Sequence, residues 1–318
     1  MKPIRTAVIG TGYLGRFHAE KFASLPESAL VAVVDVRPER AQACAARLGV
    51  RALTDFHALV GEVDAVSIAV PTTLHHEIAR FFLAQGIHVL VEKPITTTLE
   101  QADELIELAR DQGLVLQVGH SERFNAVLQA LDQVLLQPLF IESLRISPFQ
   151  PRGTDVCVVL DLMIHDIDII QHLVRSPIDH IDASGVRVLS EETDIANARI
   201  RFENGCVANV TASRVSSHAE RRMRIFQPSN YFSLDFQNRV LRSHTTGAGE
   251  TSSGVPEILI QEQAFPANDS LLLQAGAFLQ AVRARSRPVV SGEDGRNALR
   301  TAADINRQLQ VNRHRVMT

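Results

Sequence analysis

The first 120 residues alternate short apolar runs with amphipathic segments of helical period, and few architectures accommodate that pattern. The runs fall at 5–10, 30–35, 65–70, 88–92 and 115–119, with helical patterns at 38–48, 74–85 and 98–112. They consist largely of Val, Ile, Leu and Ala, as expected of strands covered on both faces. Strand, helix, strand in repetition predicts a parallel sheet with right-handed crossovers, hence a doubly wound α/β domain. Thr98 followed by Gln101 reads as a helix N-cap with its capping-box partner.

The string Gly10-Thr11-Gly12-Tyr13-Leu14-Gly15 ends the first run and opens a helix. Gly10 suits a tight turn, Gly12 lets the backbone approach a pyrophosphate, and Gly15 permits close helix–strand packing. The helix N-terminus offers N–H groups to phosphates. Asp35 ends the second run 20 positions after Gly15, where a carboxylate accepts from a ribose 2′-hydroxyl and repels a 2′-phosphate. These residues predict a dinucleotide site that prefers NAD to NADP. Arg37 either softens that preference or covers the adenine.

Ligands of such sheets lie beyond the carboxyl ends of the strands. Two of these ends carry polar residues: Pro71, Thr72, His75 and His76 follow one run, and Glu92-Lys93-Pro94 closes another. His75 and His76 are expected near the cofactor rather than on a metal. Glu92 reads either as an ion-pair partner of Lys93 or as a ligand of the cofactor's nicotinamide ribose. The chain holds only three lysines against 29 arginines. A lysine kept at a buried strand end suggests an amine able to give up its proton near neutral pH, which arginine is not.

Beyond residue 120 the character changes. Helical pattern covers 121–137, a strand 140–148 and one long helix 155–174; period-two alternation runs from 178 to about 236, as an antiparallel sheet with one solvated face requires. A Gly- and Ser-rich loop is expected at 247–256 and closing helices at 270–285 and 294–309. The expected domains are 1–120 for the dinucleotide and 121–318 for the rest. Asp161 and His165, four apart, share a helix face among apolar neighbours, where they either satisfy each other or serve a site. Asp166 and Asp168 are expected to be structural, and no metal site is expected.

Composition narrows the function classes. Hydrophobic content of 45% with 21% charge excludes a disordered chain, and a net charge of −4 gives no electrostatic case for nucleic acid or an anionic membrane. No apolar stretch approaches the roughly 18 residues of a membrane span. Met1-Lys2-Pro3-Ile4-Arg5 is expected to run straight into a strand, so no signal peptide is expected, and Cys44, Cys157 and Cys206 show no paired spacing. A cytoplasmic protein is expected.

With the glycine string, Glu92-Lys93-Pro94, the stretch from Gly119 through Arg123-Phe124-Asn125, and Asp161-x-x-x-His165, the chain resembles the Gfo/Idh/MocA oxidoreductases over essentially its whole length. The resemblance implies an N-terminal Rossmann domain and a C-terminal α/β domain with an open, mostly antiparallel sheet. It implies NAD-dependent oxidation of a sugar or inositol hydroxyl. Lys93 and His165 would contact that hydroxyl, either being the formal base, with Asp161 binding substrate or positioning them. It adds His120, Arg123 and Asn125 as substrate contacts. The fuller string Asp161–Asp168 looks like the nucleotide-sugar dehydrogenases associated with lipid A biosynthesis, which implies the 3-hydroxyl of UDP-N-acetylglucosamine as the reacting group. Arg123, Arg152, Arg221, Arg222 and Arg224 are then candidates for the diphosphate. A homodimer or homotetramer is expected through the open sheet. The alternatives are a dehydrogenase of a free sugar or inositol, and a non-catalytic NAD-binding regulator, against which intact Lys93, Asp161 and His165 speak.

Overall fold

Six parallel strands build the first sheet: β1 (Ile4–Ile9), β2 (Ser28–Val34), β3 (Arg51–Leu53), β4 (Ala65–Ile68), β5 (His88–Glu92) and β6 (Leu116–Gly119). Their order across the sheet is β3-β2-β1-β4-β5-β6, so the chain winds outward from the centre twice and the direction switches between β1 and β4. The connections carry α1 (Tyr13–Ser24), α2 (Pro38–Leu48), α3 (His75–Ala84) and α4 (Leu99–Asp111). Local chemistry sets their ends. Pro38 opens α2, and Gly49 closes it in the left-handed region (φ 69°), its N–H bonded to Ala45 O. Thr98 Oγ1 accepts from Gln101 N at 3.3 Å, but the Gln101 side chain accepts from Thr97 Oγ1 instead of closing the expected capping box.

This computed structural model describes residues 2–131, 134, 135, 137–150, 156–250 and 256–316. Its second sheet has eight strands: β7 (Phe140–Ile146), β8 (Ile178–Val186), β9 (Ile195–Phe202), β10 (Val207–Ser213), β11 (Glu220–Gln227), β12 (Asn230–Asp235), β13 (Val240–Glu250) and β14 (Pro256–Ala264). They lie in the order β14-β13-β12-β11-β7-β10-β9-β8. Only the β7–β10 pair is parallel, so the sheet is open and mostly antiparallel. The helices α5 (Ala126–Leu131), α6 (Ile164–Val174), α7 (Ser270–Ala284) and α8 (Gly292–Val316) complete the chain.

Two compact units result, Met1–Phe124 with Asp269–Leu299 and Asn125–Asn268 with Arg300–Thr318. The first therefore includes α7 and residues up to 299, beyond a single division at 120. There α7 packs on α1: Phe22 and Phe278, both 0% exposed, meet edge to face with centroids 6.4 Å apart, and Lys21 pairs with Asp269 at 2.7 Å. Burying two such rings contributes about 1.5–3 kcal/mol each. In the second unit, residues on one face of β7 and β11, Ile141, Met223 and Ile225 among them, are fully buried, while their neighbours on the other face alternate towards solvent.

Three expectations are corrected. The segment from 121 is not one helix: a single 3-10 turn at Ser121–Phe124 precedes α5, and residues 132, 133 and 136 lie outside the described residues. The long helix begins as a π-helical turn at Val159–Met163 and only then becomes α6; Asp155, its expected start, is outside the described residues. Residues 247–250 are the end of β13 rather than loop, with 251–255 outside the described residues.

Candidate functional site

At the exit of β1, Gly10 takes φ +88°, and a Cβ there would run into Ala69 O. A Cβ on Gly15 would strike Gly10 O, so α1 can leave β1 this closely only with glycine at both positions. Gly12 has no atom within 4 Å of where its Cβ would stand, and no side chain caps α1. Open space and helical N–H groups thus coincide, as a pyrophosphate requires, and any side chain at Gly12 would fill that space. Beside it lies a cavity of about 370 Å³ lined by Gly10, Gly12, Asp35, Arg37, Arg40, Phe56 and Pro71 among others.

The Asp35 carboxylate is organised by the chain itself. Oδ2 accepts from Thr11 N and Thr11 Oγ1, both at 2.9 Å, and Oδ1 accepts from Arg37 N at 3.0 Å. Burial pushes its pKa up, but these hydrogen bonds and the nearby Arg40 charge outweigh burial and hold the group ionised below its ordinary range. Oδ1 retains acceptor capacity for a ribose hydroxyl. Tyr13 and Leu14 are exposed at the start of α1, and Thr72 is half-buried in the 3-10 turn Thr72–Leu74. These residues fit the adenosine and pyrophosphate portions of NAD.

At the end of β5, Glu92 is buried at 8% exposure and bound to a residue that sequence reasoning did not single out. His18 Nε2 lies 2.9 Å from Glu92 Oε1, and His18 Nδ1 lies 2.8 Å from Ser67 Oγ. Burial would raise the Glu92 pKa; His18, then Lys93 and His75, hold it below the ordinary value. Lys93 N donates to Glu92 Oε2 at 3.3 Å. His75 is 1% exposed, with Nδ1 2.9 Å from Pro94 O and Nε2 3.0 Å from Val70 O. Its ring is committed to two backbone carbonyls, whereas His76 pairs with Glu104 at 2.8 Å. A lone histidine on the buried side of α1, three residues after Gly15, was the available signal for His18.

His120 is 1% and Arg123 7% exposed, and Arg123 Nη2 donates to Val289 O at 3.3 Å, within the first unit. In the second unit Asn125 is spent on the backbone: Nδ2 donates to Phe236 O at 3.3 Å and Oδ1 accepts from Val127 N at 3.1 Å. Asp161 lies in the π turn and His165 in the first turn of α6, both half-buried. Asp166 is structural: Arg145, from β7, donates to it bidentately at 2.9 and 3.0 Å, with both side chains under 5% exposed. Upstream of the π turn, Arg214 binds Asp194 at 2.8 Å and Val156 O at 2.7 Å, while Val158 N donates to Thr193 O. Arg222 pairs with Glu220 at 2.6 Å and Arg224 with Glu142, on the exposed side of the sheet; Arg152 lies outside the described residues.

A doubly wound sheet, a glycine loop shaped for a pyrophosphate and an acidic residue at the end of β2 define a dinucleotide-binding α/β protein. Family models agree: one described as "Oxidoreductase family, NAD-binding Rossmann fold" matches residues 4–120, and the "GFO/IDH/MocA C-terminal domain" matches 147–227. The chain belongs to the GFO/IDH/MocA family of NAD-binding oxidoreductases. It is 41% identical over 304 residues to UDP-N-acetylglucosamine 3-dehydrogenase of Acidithiobacillus ferrooxidans, covering 95% of this chain and 96% of that one. A solved structure of that enzyme superposes with a TM-score of 0.93 at 39% identity, over 98% of this chain and 99% of the other. Myo-inositol 2-dehydrogenase of Thermotoga maritima is 26% identical, covering 98% of this chain and 97% of that one. The scyllo-inositol dehydrogenase of Lactobacillus casei, solved with NAD(H) and scyllo-inositol, shares the fold at a TM-score of 0.82 and 22% identity, over 98% of each chain.

Proposed function

We propose that this protein oxidises the 3-hydroxyl of UDP-N-acetylglucosamine to a ketone. The observation that carries the reading is the 41% identity, over nearly the full length of both chains, to an enzyme named for that reaction. Lys93, Asp161 and His165, the residues expected to meet the reacting hydroxyl, are all present.

NAD, when bound, supplies the acceptor for the hydride that leaves the sugar carbon. The chain's residues do the rest. Gly10, Gly12 and the first turn of α1 hold the pyrophosphate, and Asp35 selects an unphosphorylated adenosine ribose. As hydride leaves the carbon, the hydroxyl proton must leave the oxygen. His165 takes it, imidazole being suited to proton transfer near neutrality. Lys93 donates to the same oxygen and stabilises the charge that develops there. Asp161 orients the substrate or the imidazole. Among the arginines expected at the diphosphate, Arg222 and Arg224 have carboxylate partners, Glu220 and Glu142.

The open face of the second sheet carries a row of half-buried aromatic rings, Phe140, Phe226, Tyr231 and His244, with successive centroids 5.9, 5.1 and 4.1 Å apart. Beside it the charges pair across strands, Glu142 with Arg224 and Arg242 with Glu262. A flat, self-neutralised face with an aromatic row suits stacking against a second copy, as a homodimer or a homotetramer. Three buried, unpaired cysteines fit a reducing cytoplasm, and no helix among the described residues is long and apolar enough to cross a membrane.

The full-length similarity to a myo-inositol dehydrogenase supports a second reading, oxidation of a free polyol. Incubating the protein with NAD and a panel of UDP-sugars, free sugars and inositols, while following absorbance of reduced cofactor, separates the two. Reduction with UDP-N-acetylglucosamine supports the first reading; reduction only with a free sugar or inositol replaces it with the second.

A further inference from the structure

Two buried histidines that the reaction scheme leaves unused bind the residues immediately before and after Lys93, Glu92 and Pro94. His18 joins Ser67 on β4 to Glu92 at the end of β5, at 2.8 and 2.9 Å. His75 joins Val70, just beyond β4, to Pro94, at 3.0 and 2.9 Å. Each imidazole therefore bridges the same two strand ends. Between the two bridged residues, Glu92 and Pro94, lies Lys93 alone. Both rings are 1% exposed, so neither presents an edge to a ligand.

We propose that His18 and His75 are positioning residues that bracket Lys93, tying the Glu92 carboxylate on one side of it and the Pro94 carbonyl on the other to the end of β4. The inference rests on the reading of Lys93 as a group that acts on the reacting hydroxyl.

The chemistry of the two bridges differs. Ser67 can donate or accept, so the His18 ring can satisfy both of its contacts whether neutral or protonated. His75 faces two carbonyl oxygens, both acceptors, and only the imidazolium donates to both. Burial pushes the His75 pKa down, so near neutrality one nitrogen donates and the other rests against a carbonyl. His18 is thus the firmer tie and His75 the looser one.

A third contact tightens the bracket. A Cβ on Gly119 of β6 would stand 2.5 Å from Glu92 Oε1. The carboxylate therefore lies against the backbone of β6 at Gly119 as well as against His18. A displacement of an ångström at a group that must meet the reacting oxygen is enough to cost about 100-fold in rate. Three devices converging on the residues next to Lys93 have their explanation in that sensitivity.

The test uses His75→Phe, His75→Gln and His18→Gln, each alone and in the Lys93→Met background. Glutamine keeps one donor at each site, and phenylalanine keeps the volume of His75 without polar contacts. Expected is a kcat loss of about 10- to 100-fold in His75→Phe, with sugar KM and NAD affinity within about threefold of native. Glutamine should recover a large part of that loss. A substrate deuterated at the reacting carbon should show a larger isotope effect in His75→Phe, because chemistry becomes more fully rate-limiting. In the Lys93→Met background the histidine substitutions should cost little more, since residues acting through one group are not additive.

Folded histidine variants with native kcat and native isotope effect overturn the bracket. So does an equal fractional loss with and without Lys93. Melting curves identify any loss due to unfolding; if His75→Phe does not fold, His18→Phe, which removes both His18 contacts, carries the test with His18→Gln as its conservative control. If Lys93→Met itself turns over at the native rate, the underlying reading of Lys93 fails; if it is inactive while the histidine variants are native, only the bracket fails.

Discussion

The Asp35 carboxylate accepts both the backbone N–H and the hydroxyl of Thr11, each at 2.9 Å, tying the end of β2 to the glycine loop. The acidic residue proposed to face the ribose is thereby tied to the glycine loop proposed to hold the pyrophosphate. Arg37 and Arg40 line the same cavity. Replacing Asp35 by Asn removes the charge that repels a 2′-phosphate while keeping an acceptor for Thr11. The NADP-to-NAD ratio of kcat/KM should rise by about tenfold or more, equivalent to about 1.4 kcal/mol. An unchanged ratio would mean that Asp35 does not set the preference.

Arg145 and Asp166 form a buried bidentate pair between β7 and α6. Removing one partner strands a buried charge. Arg145→Met should cost about 3–5 kcal/mol of stability by chemical denaturation, and the double variant Arg145→Met with Asp166→Leu should recover much of it. A single variant as stable as the native protein would contradict the pair's structural role.

Acid should unfold the protein through a few buried carboxylates. Glu92 and Asp194, like Asp35, are raised by burial but held down more strongly by their hydrogen-bond partners, His18 for Glu92 and Ser190 with Arg214 for Asp194. Their folded pKa values lie below the unfolded ones, so their stabilisation is present above about pH 4 and is lost as pH falls through the folded values. Thermal midpoints measured from pH 7 down to pH 3 should fall towards acid. In Asp194→Asn the midpoint should be lower at pH 7 and the acid dependence shallower. A midpoint independent of pH over that range would refute the linkage.

Much of the fold was legible because burial on both faces writes strands as apolar runs. β5 starts and ends where its run does, and β8 to β12 fall within the period-two region. The exceptions have physical causes. β3 is three residues long with Arg51 and Ala52 exposed, leaving no apolar run to read. A π turn and an α turn present nearly the same apolar spacing over five residues, so the break before His165 left no trace. The site was legible where chemistry is local, in the glycine loop and Glu92-Lys93-Pro94. The ties of His18 to Glu92 and of Arg145 to Asp166 span 74 and 21 residues, and no spacing rule announces them.

Self-association through the open sheet face should be sensitive to its aromatic row. Sedimentation should show the native protein as a dimer or tetramer, and Tyr231→Glu should shift it to a smaller species by placing an unpaired charge between Phe226 and His244. A native monomer would contradict the interface, as would a variant of unchanged size.

His165 is proposed to take the proton of the hydroxyl being oxidised, and Lys93 to stabilise the charge left on its oxygen. Stopped-flow measurement of reduced-cofactor formation, on mixing native protein, Lys93→Met or His165→Ala with NAD and UDP-N-acetylglucosamine, tests it most directly, with NAD affinity titrated in parallel. Expected is a rate loss of about 10²–10⁴ in each variant, with NAD affinity within about threefold of native. Native rates in either variant would contradict it.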